Sequence, residues 1–519
     1  MKPMRLRLSF FFFLLLILWS GIGQVKANYI TIQNATVTGA TSTTAQVQYD
    51  IFWENSWRDA ENWDAAWVFV KYNTGSGWNH ATLSSSGHVV GTSTPSATIN
   101  VSSDFRGAFI YRSSVSSGTF TVTGQQLQWN FNANGLTQTQ ATTAQVRIYG
   151  IEMVYIPTGT YALGDGNGTT ESNNSIWAGA NNYAYAVSGN LSPLLSADAL
   201  MHNGSGAMTS IRIHGTLGVD NDANGTIDNP DFPLGFLHFY IMKYEISQGQ
   251  YAEFLNTLTT AQATARFYTT QQNRYTISVS GGVYSASRPD RACNYIDWID
   301  GCAYTDWACL RPLTECEYEK ACRGSRAPLL NEYPNGTTSH SYIHSDNPAF
   351  TSNMAENGTE TAAGTTRNAH RSVSALNGGD GGTGPVRVGI FGRNVSSRTN
   401  SGASYYGVMD MGSNIAEYYV TLGNVNGRSY TGVHGDGALF STSGVANVNF
   451  WPGINGNGNN NTANTSFGGS TGVTSESGIM LKSDPCAFQD CETRVSQRFG
   501  FGSYGRGANL GFRSGRTAP

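Results

Sequence analysis

Charge is scarce in this sequence. Only 13% of its 519 residues are Asp, Glu, Lys or Arg, where an ordinary globular chain carries roughly a quarter. The two signs nearly cancel, leaving a formal net charge of −4, so there is no basic field to hold nucleic acid. Cysteine is missing from the first half, the first of seven being Cys293. That leaves no cysteine near the N-terminus to carry a lipid. No two cysteines are spaced C-x-x-C, which argues against a zinc site of the usual kind. No run of ~20 apolar residues occurs after the N-terminal segment, which excludes a downstream membrane-spanning helix.

The N-terminal segment is of another type. Lys2, Arg5 and Arg7 precede an apolar run from Leu8 to Trp19, and Val25-Lys26-Ala27 fits a small-x-small cleavage site. This predicts a secretory signal peptide over 1–27, with the mature chain starting at Asn28. The product is expected to be exported, to the periplasm, the cell surface or the medium, without a membrane span. There, seven cysteines predict disulfides with at least one thiol left over. Sixty-one glycines and 12% aromatics describe a chain that turns often and packs rings between loops, not a helix bundle.

Residues 28–150 read as β. AQVQYDIFW alternates Ala45, Val47, Tyr49, Ile51 and Trp53 against polar or outward neighbours, the period of a half-buried strand. AWVFVKY, ATINV and TFTVTG follow suit between turn-rich segments, which predicts an N-terminal all-β sandwich. Trp53, Trp57, Trp63 and Trp67 cluster here, as core packing in preference to a carbohydrate platform. From 151 to 519 the texture changes to a loop-rich α+β domain. Tyr251, Phe254 and Leu255 have helical spacing, and Thr314 with Glu317 forms a capping box. Cys302 and Cys309, seven apart, would share a helical face.

The sharpest local signal is DNDANGTIDNPD. It sets Asp220, Asp222, Asn224, Thr226, Asp228 and Asp231 at loop positions 1, 3, 5, 7, 9 and 12, with Gly225 at 6. Calcium takes six to eight hard oxygens, and this spacing supplies them. Asp stands at position 12 where a bidentate Glu is usual, and Pro230 and Pro233 block a following helix. The alternative is a solvated Asp/Asn/Gly turn.

Five segments, in order, resemble the sulfatase-modifying-factor family, whose founding member is the formylglycine-generating enzyme. They are MVYIPTGTYALGD (153–165), FYIMKYEISQGQYAEFLN (239–256), WIDGCAYTDWACLRPLTECEYEKACRG (298–324), YYGVMDMGSNIAEYY (405–419) and NLGFR (509–513). The resemblance implies a formylglycine-generating-enzyme-like fold, related to C-type lectins, with little regular structure and bound calcium. It implies calcium ligands at Asp410 and Glu417, with carbonyls from Ser413 and Ile415, and a second set at Asn353 and Asp380. It also implies that Ser483, Cys486 and Cys491 hold the places of the family's copper-binding oxidase residues. Three departures count against that chemistry. The family's Gly-Gly-Ser-aromatic approach is LKSD here, its site tryptophan is Ala416, and residues 437–480 look like an insertion. The other reading of Cys486 and Cys491 is a disulfide closing a tight loop.

Two functions follow. One is an exported, calcium-stabilised binding or structural protein that uses the family domain as a recognition scaffold for a protein or glycan ligand. The other is a copper-dependent oxidase that converts a sulfatase cysteine to formylglycine. A fold can host either.

Overall fold

The structure is a computed structural model. It describes residues 30–165, 176–178, 185–187, 199–201, 211–212, 229–340, 342–343, 368–370, 382–392, 397–422, 425–454, 478–483, 493–497 and 505–519. Among them no helix is long and apolar enough to cross a membrane.

The N-terminal half supplies eight strands: β1 (Thr31–Thr38), β2 (Ala45–Arg58), β3 (Asp64–Asn73), β4 (Trp78–His80), β5 (Ala97–Val101), β6 (Ala108–Arg112), β7 (Ser116–Trp129) and β8 (Gln145–Ile156). Strand β2 buries Ala45, Val47, Tyr49, Ile51 and Trp53 while their neighbours stay half-exposed, as the alternation predicts. Strand β3 is buried at nine consecutive positions, the mark of a strand covered on both faces.

From the second half come β9 (Phe239–Met242), α1 (Gln248–Leu255), α2 (Trp298–Trp307), β10 (Arg311–Pro312) and α3 (Glu315–Arg323). Nearer the C-terminus are β11 (Ala416–Val420), β12 (Ile479–Lys482), β13 (Leu510–Gly511) and β14 (Ser514–Thr517). The expected capping box is present: Thr314 accepts the Glu317 N–H, and the Glu317 side chain accepts the Thr314 N–H.

Two sheets decide the architecture. Strands β1-β2-β7 form a three-stranded antiparallel sheet. The other sheet has eight strands in the order β10-β14-β9-β8-β3-β6-β5, with β4 on β3. Its middle is β8, which pairs with β3 from Asp64↔Val154 to Asn73↔Gln145 and with β9 from Phe239↔Ile156 to Met242↔Met153. The expected boundary at residue 150 therefore falls inside a strand, and the sheet runs on into the second half.

Each face of this sheet has its own cover. On one, Ala66, Val68 and Val70 meet Val47, Ile51, Phe120 and Leu127 of the three-stranded sheet. Gly150 allows Ile30, just before β1, to come close, since a Cβ there would lie 2.7 Å from Ile30 Cγ2. Further along the same face, Val154, Ile156, Phe239 and Ile241 pack on Tyr318, Ala321 and Cys322 of α3. On the opposite face Trp67, Phe69, Ile151 and Tyr240 meet Phe254 of α1 and Trp298, Tyr304 and Trp307 of α2.

The tryptophan cluster divides. Trp53 and Trp67 are fully buried, while Trp63 is half-buried and stacks on Tyr155 at 4.0 Å. Residues 437–454 are not a loose insertion. Val445, Ala446, Trp451 and Ile454 enter the main core, and Trp298 Nε1 donates to the Pro452 carbonyl at 2.7 Å.

Candidate functional site

Arg513, at the end of NLGFR, sits between β13 and β14 and is fully buried. Its Nε donates to Glu417 Oε1 at 2.8 Å, Nη1 to the carbonyls of Met242 (2.9 Å) and Lys243 (3.0 Å), and Nη2 to that of Met409 at 2.9 Å. Nη2 also lies 3.9 Å from Glu245 Oε2. One guanidinium thus ties together three of the five segments that carry the family resemblance. Its planar fork of donors is suited to that.

Three carboxylates surround it. Burial pushes Glu245 up strongly, and Asp410 beside it adds to the rise while Arg513 opposes it. Burial likewise raises Asp410 and Glu417. Asp410 adopts a left-handed backbone, φ 60°, and its Oδ2 accepts the Gly389 N–H at 2.5 Å. Asn414, φ 68°, accepts the Val386 N–H at 2.9 Å through Oδ1. Such backbone strain in non-glycine residues persists only where the surroundings enforce it.

The structure brings Asp410, Ser413, Ile415, Glu417 and Ser483 together, because β11 pairs with β12 through Glu417↔Lys482. Ser483 Oγ donates to the Ser413 carbonyl at 3.5 Å. In this arrangement Glu417 is already committed. Both Glu417 oxygens are engaged, Oε1 by Arg513 and Oε2 by the Tyr419 hydroxyl, so the cation beside this carboxylate is a guanidinium. Among the described residues no group of three or more His, Cys, Asp or Glu side chains could hold a metal ion.

The other expected sites lie mostly outside the described residues: Asp220, Asp222, Asn224, Thr226 and Asp228, then Asn353 and Asp380, then Cys486 and Cys491. Asp231 is described and exposed, and its N–H donates to Asn229 Oδ1 at 3.2 Å. Asn229 in turn donates to the Arg428 and Tyr430 carbonyls, each at 2.8 Å.

The expected disulfides are absent among the described residues. Cys293, Cys302, Cys309, Cys316 and Cys322 are buried and form no disulfide, each placed as a small apolar side chain in a core. Cys309 does not share a helical face with Cys302, since α2 ends at Trp307 and Cys309 turns left-handed, φ 55°. Its Sγ lies 3.4 Å from His80 Nδ1. Burial raises its thiol to about 12, which keeps it protonated and inert.

A second buried charge cluster had no sequence signal. Lys243 pairs with Glu152 and lies 3.5 Å from Asp64. Asp64 also accepts from Trp53 Nε1 (3.0 Å), Ser56 Oγ (2.9 Å) and the Trp57 N–H (3.0 Å). Two carboxylates share one ammonium. Burial raises Glu152 to about 7, with Asp64 adding and Lys243 opposing. Asp64 lies in the first half and Glu152 just past the expected boundary, and only pairing of β8 with β3 and β9 brings Lys243 to them.

Comparison with known proteins gives four findings. The structure of PvdO from Pseudomonas aeruginosa is 14% identical, with a TM-score of 0.32 over 71% of this chain and 94% of that one. Treponema denticola variable protein 1 is 11% identical, with a TM-score of 0.28 over 71% of this chain and 96% of that one. No curated protein matches. Residues 200–518, more than half of the chain, match the sulfatase-modifying factor enzyme 1-like domain. With that match, and with the family's segments meeting around Arg513, the chain belongs to the sulfatase-modifying factor enzyme 1-like family.

Proposed function

We propose that the chain is an exported binding protein in which the family domain is a recognition scaffold and not an oxidase. The observation that carries this reading is how the polar groups of the shared segments are used. Arg513, Glu417, Asp410 and Ser483 spend their hydrogen bonds holding loops to one another inside the core. The family's tryptophan position is Ala416, which is buried between β12 and β13 and presents only a methyl group. The partner is a protein or glycan outside the cytoplasm. Calcium belongs to the 220–231 loop in this proposal and not to Asp410 and Glu417. Copper would require Cys486 and Cys491 as thiolates; soft sulfur ligands suit Cu(I).

The test uses the full exported chain with copper and a sulfatase-type peptide containing cysteine. The expected result is no aldehyde above a Cys486→Ser control. Aldehyde formed above that control would establish the oxidase instead. Chelation should lower the Tm, and Asp220→Ala with Asp222→Ala should reduce that response. An unchanged response would remove calcium from the proposal.

A further inference from the structure

A cavity of about 480 Å³ lies between β4 and the segments 257–262 and 436–441, within the ~300–1,000 Å³ typical of ligand pockets. Its lining shares only Trp307 with the segments that carry the family resemblance, and the proposed function does not use it. Tyr72, Trp78, Trp307, Leu258 and Leu439 give it ring and aliphatic walls.

Its polar groups are unevenly spent. Lys71 is buried, and its ammonium donates to the Gly437 carbonyl at 3.0 Å and lies 5.3 Å from the Trp307 ring centre. That leaves two of its three N–H groups for other acceptors. The Trp307 indole N–H is buried and has no hydrogen-bond partner among the described residues. The half-buried Arg106 side chain makes no hydrogen bond or ion pair with any described residue. The acceptors are otherwise occupied or few. Asn134 Oδ1 accepts from Thr82 and Trp129, Gln262 Oε1 closes its own helix cap, and Asp436, exposed at the rim, accepts the Ala438 N–H. His80 is held by the Arg106 carbonyl, and burial keeps it neutral. The lining therefore offers two cations and an indole N–H against one rim carboxylate.

We infer that this cavity binds a small carboxylate carried on a planar apolar body, with Lys71 and Arg106 taking the carboxylate and Trp78 and Trp307 flanking the body. A buried ammonium with unused donors favours an anion, because hydrogen bonds to charged groups are the strong ones. Ring walls favour a flat apolar body over a hydrated inorganic ion.

The probe is benzoate, with benzamide as its neutral counterpart, titrated into the full chain by ligand-observed NMR and by thermal shift. Benzoate should bind and raise the Tm, and benzamide should bind at least about tenfold more weakly. Arg106→Gln, at a half-buried position, should weaken benzoate by about tenfold. Lys71→Met should abolish binding if that variant folds. Equal binding of benzoate and benzamide, no binding of either, or full affinity in Arg106→Gln would each overturn the assignment.

Discussion

The two halves of the molecule solve the same problem by different means. Between the three-stranded and eight-stranded sheets, alternating side chains make an apolar layer in which Val47, Ile51, Val68, Ile110, Phe120 and Leu127 are all fully or almost fully buried. Backbone groups there are satisfied by ladders. In the second half strands are two to five residues long, and loops must be held in another way. Buried ion pairs do it: Arg311 with Glu317, Arg323 with Glu319 and Glu332, Arg266 and Arg506 with Asp300, Arg513 with Glu417. Arg323, Arg506 and Arg513 also donate to carbonyls of distant loops, as Arg323 does to Ala162 and Gly164. The contrast teaches that few charges does not mean weak electrostatics. The charges this chain has are concentrated where backbone lacks partners, because an unpaired buried polar group is costly.

The largest test of this comparison is a cut. A fragment ending at Gly150 loses the Ile151–Ile156 end of β8 and with it β9, and exposes Trp67 and Phe69. It should not fold by circular dichroism or NMR, and limited proteolysis of the whole chain should release no stable N-terminal piece. A soluble, cooperatively folded fragment would show that the apolar layer stands alone.

Next in size is Arg513→Met. It leaves Glu417 and Glu245 buried without their cation, and removing one partner of a buried pair costs about 3–5 kcal/mol. Urea unfolding should show the unfolding free energy fall by that amount, read as a lower midpoint at unchanged slope. A loss below 1 kcal/mol would mean the loops are held by packing alone.

The pH dependence distinguishes the second buried cluster, of Lys243, Glu152 and Asp64. Glu152 is raised to about 7 by burial, above its ordinary value near 4.3. The folded state therefore holds a proton that the unfolded state releases, so this group's stabilisation is complete below pH ~4.3 and is lost as pH rises toward 7. Wild-type stability should fall across that window, and Glu152→Gln should flatten the slope. An unchanged slope in the variant would assign the dependence elsewhere.

The smallest effect is expected in the apolar layer. Ile110→Val should cost ~0.5–1.5 kcal/mol, since neighbouring side chains can close around one missing methylene. A loss as large as that of Arg513→Met would erase the distinction between the halves.

Local features were legible in the sequence. Period-2 alternation marked β2 because Ala45 to Trp53 face one core in register. The Thr314–Glu317 box marked the start of α3 because its bonds span three residues and depend on nothing beyond them. The ordered segments identified the family, since each is a continuous string. The candidate site was legible only in part: Asp410, Glu417 and Ser483 do converge, but Arg513, Glu245 and Lys243 carry no pattern that announces their partners.

What the sequence by itself determined, then, is whatever rests on neighbours a few residues apart: strand periodicity, helix caps, turn chemistry and family strings. What only the tertiary structure decided is which distant groups meet. Strand β8 pairs with β3 on one side, Ala65 opposite Met153, and with β9 on the other, Met242 opposite Met153, because strand partners are set by which faces the whole sheet can bury and not by neighbours along the chain.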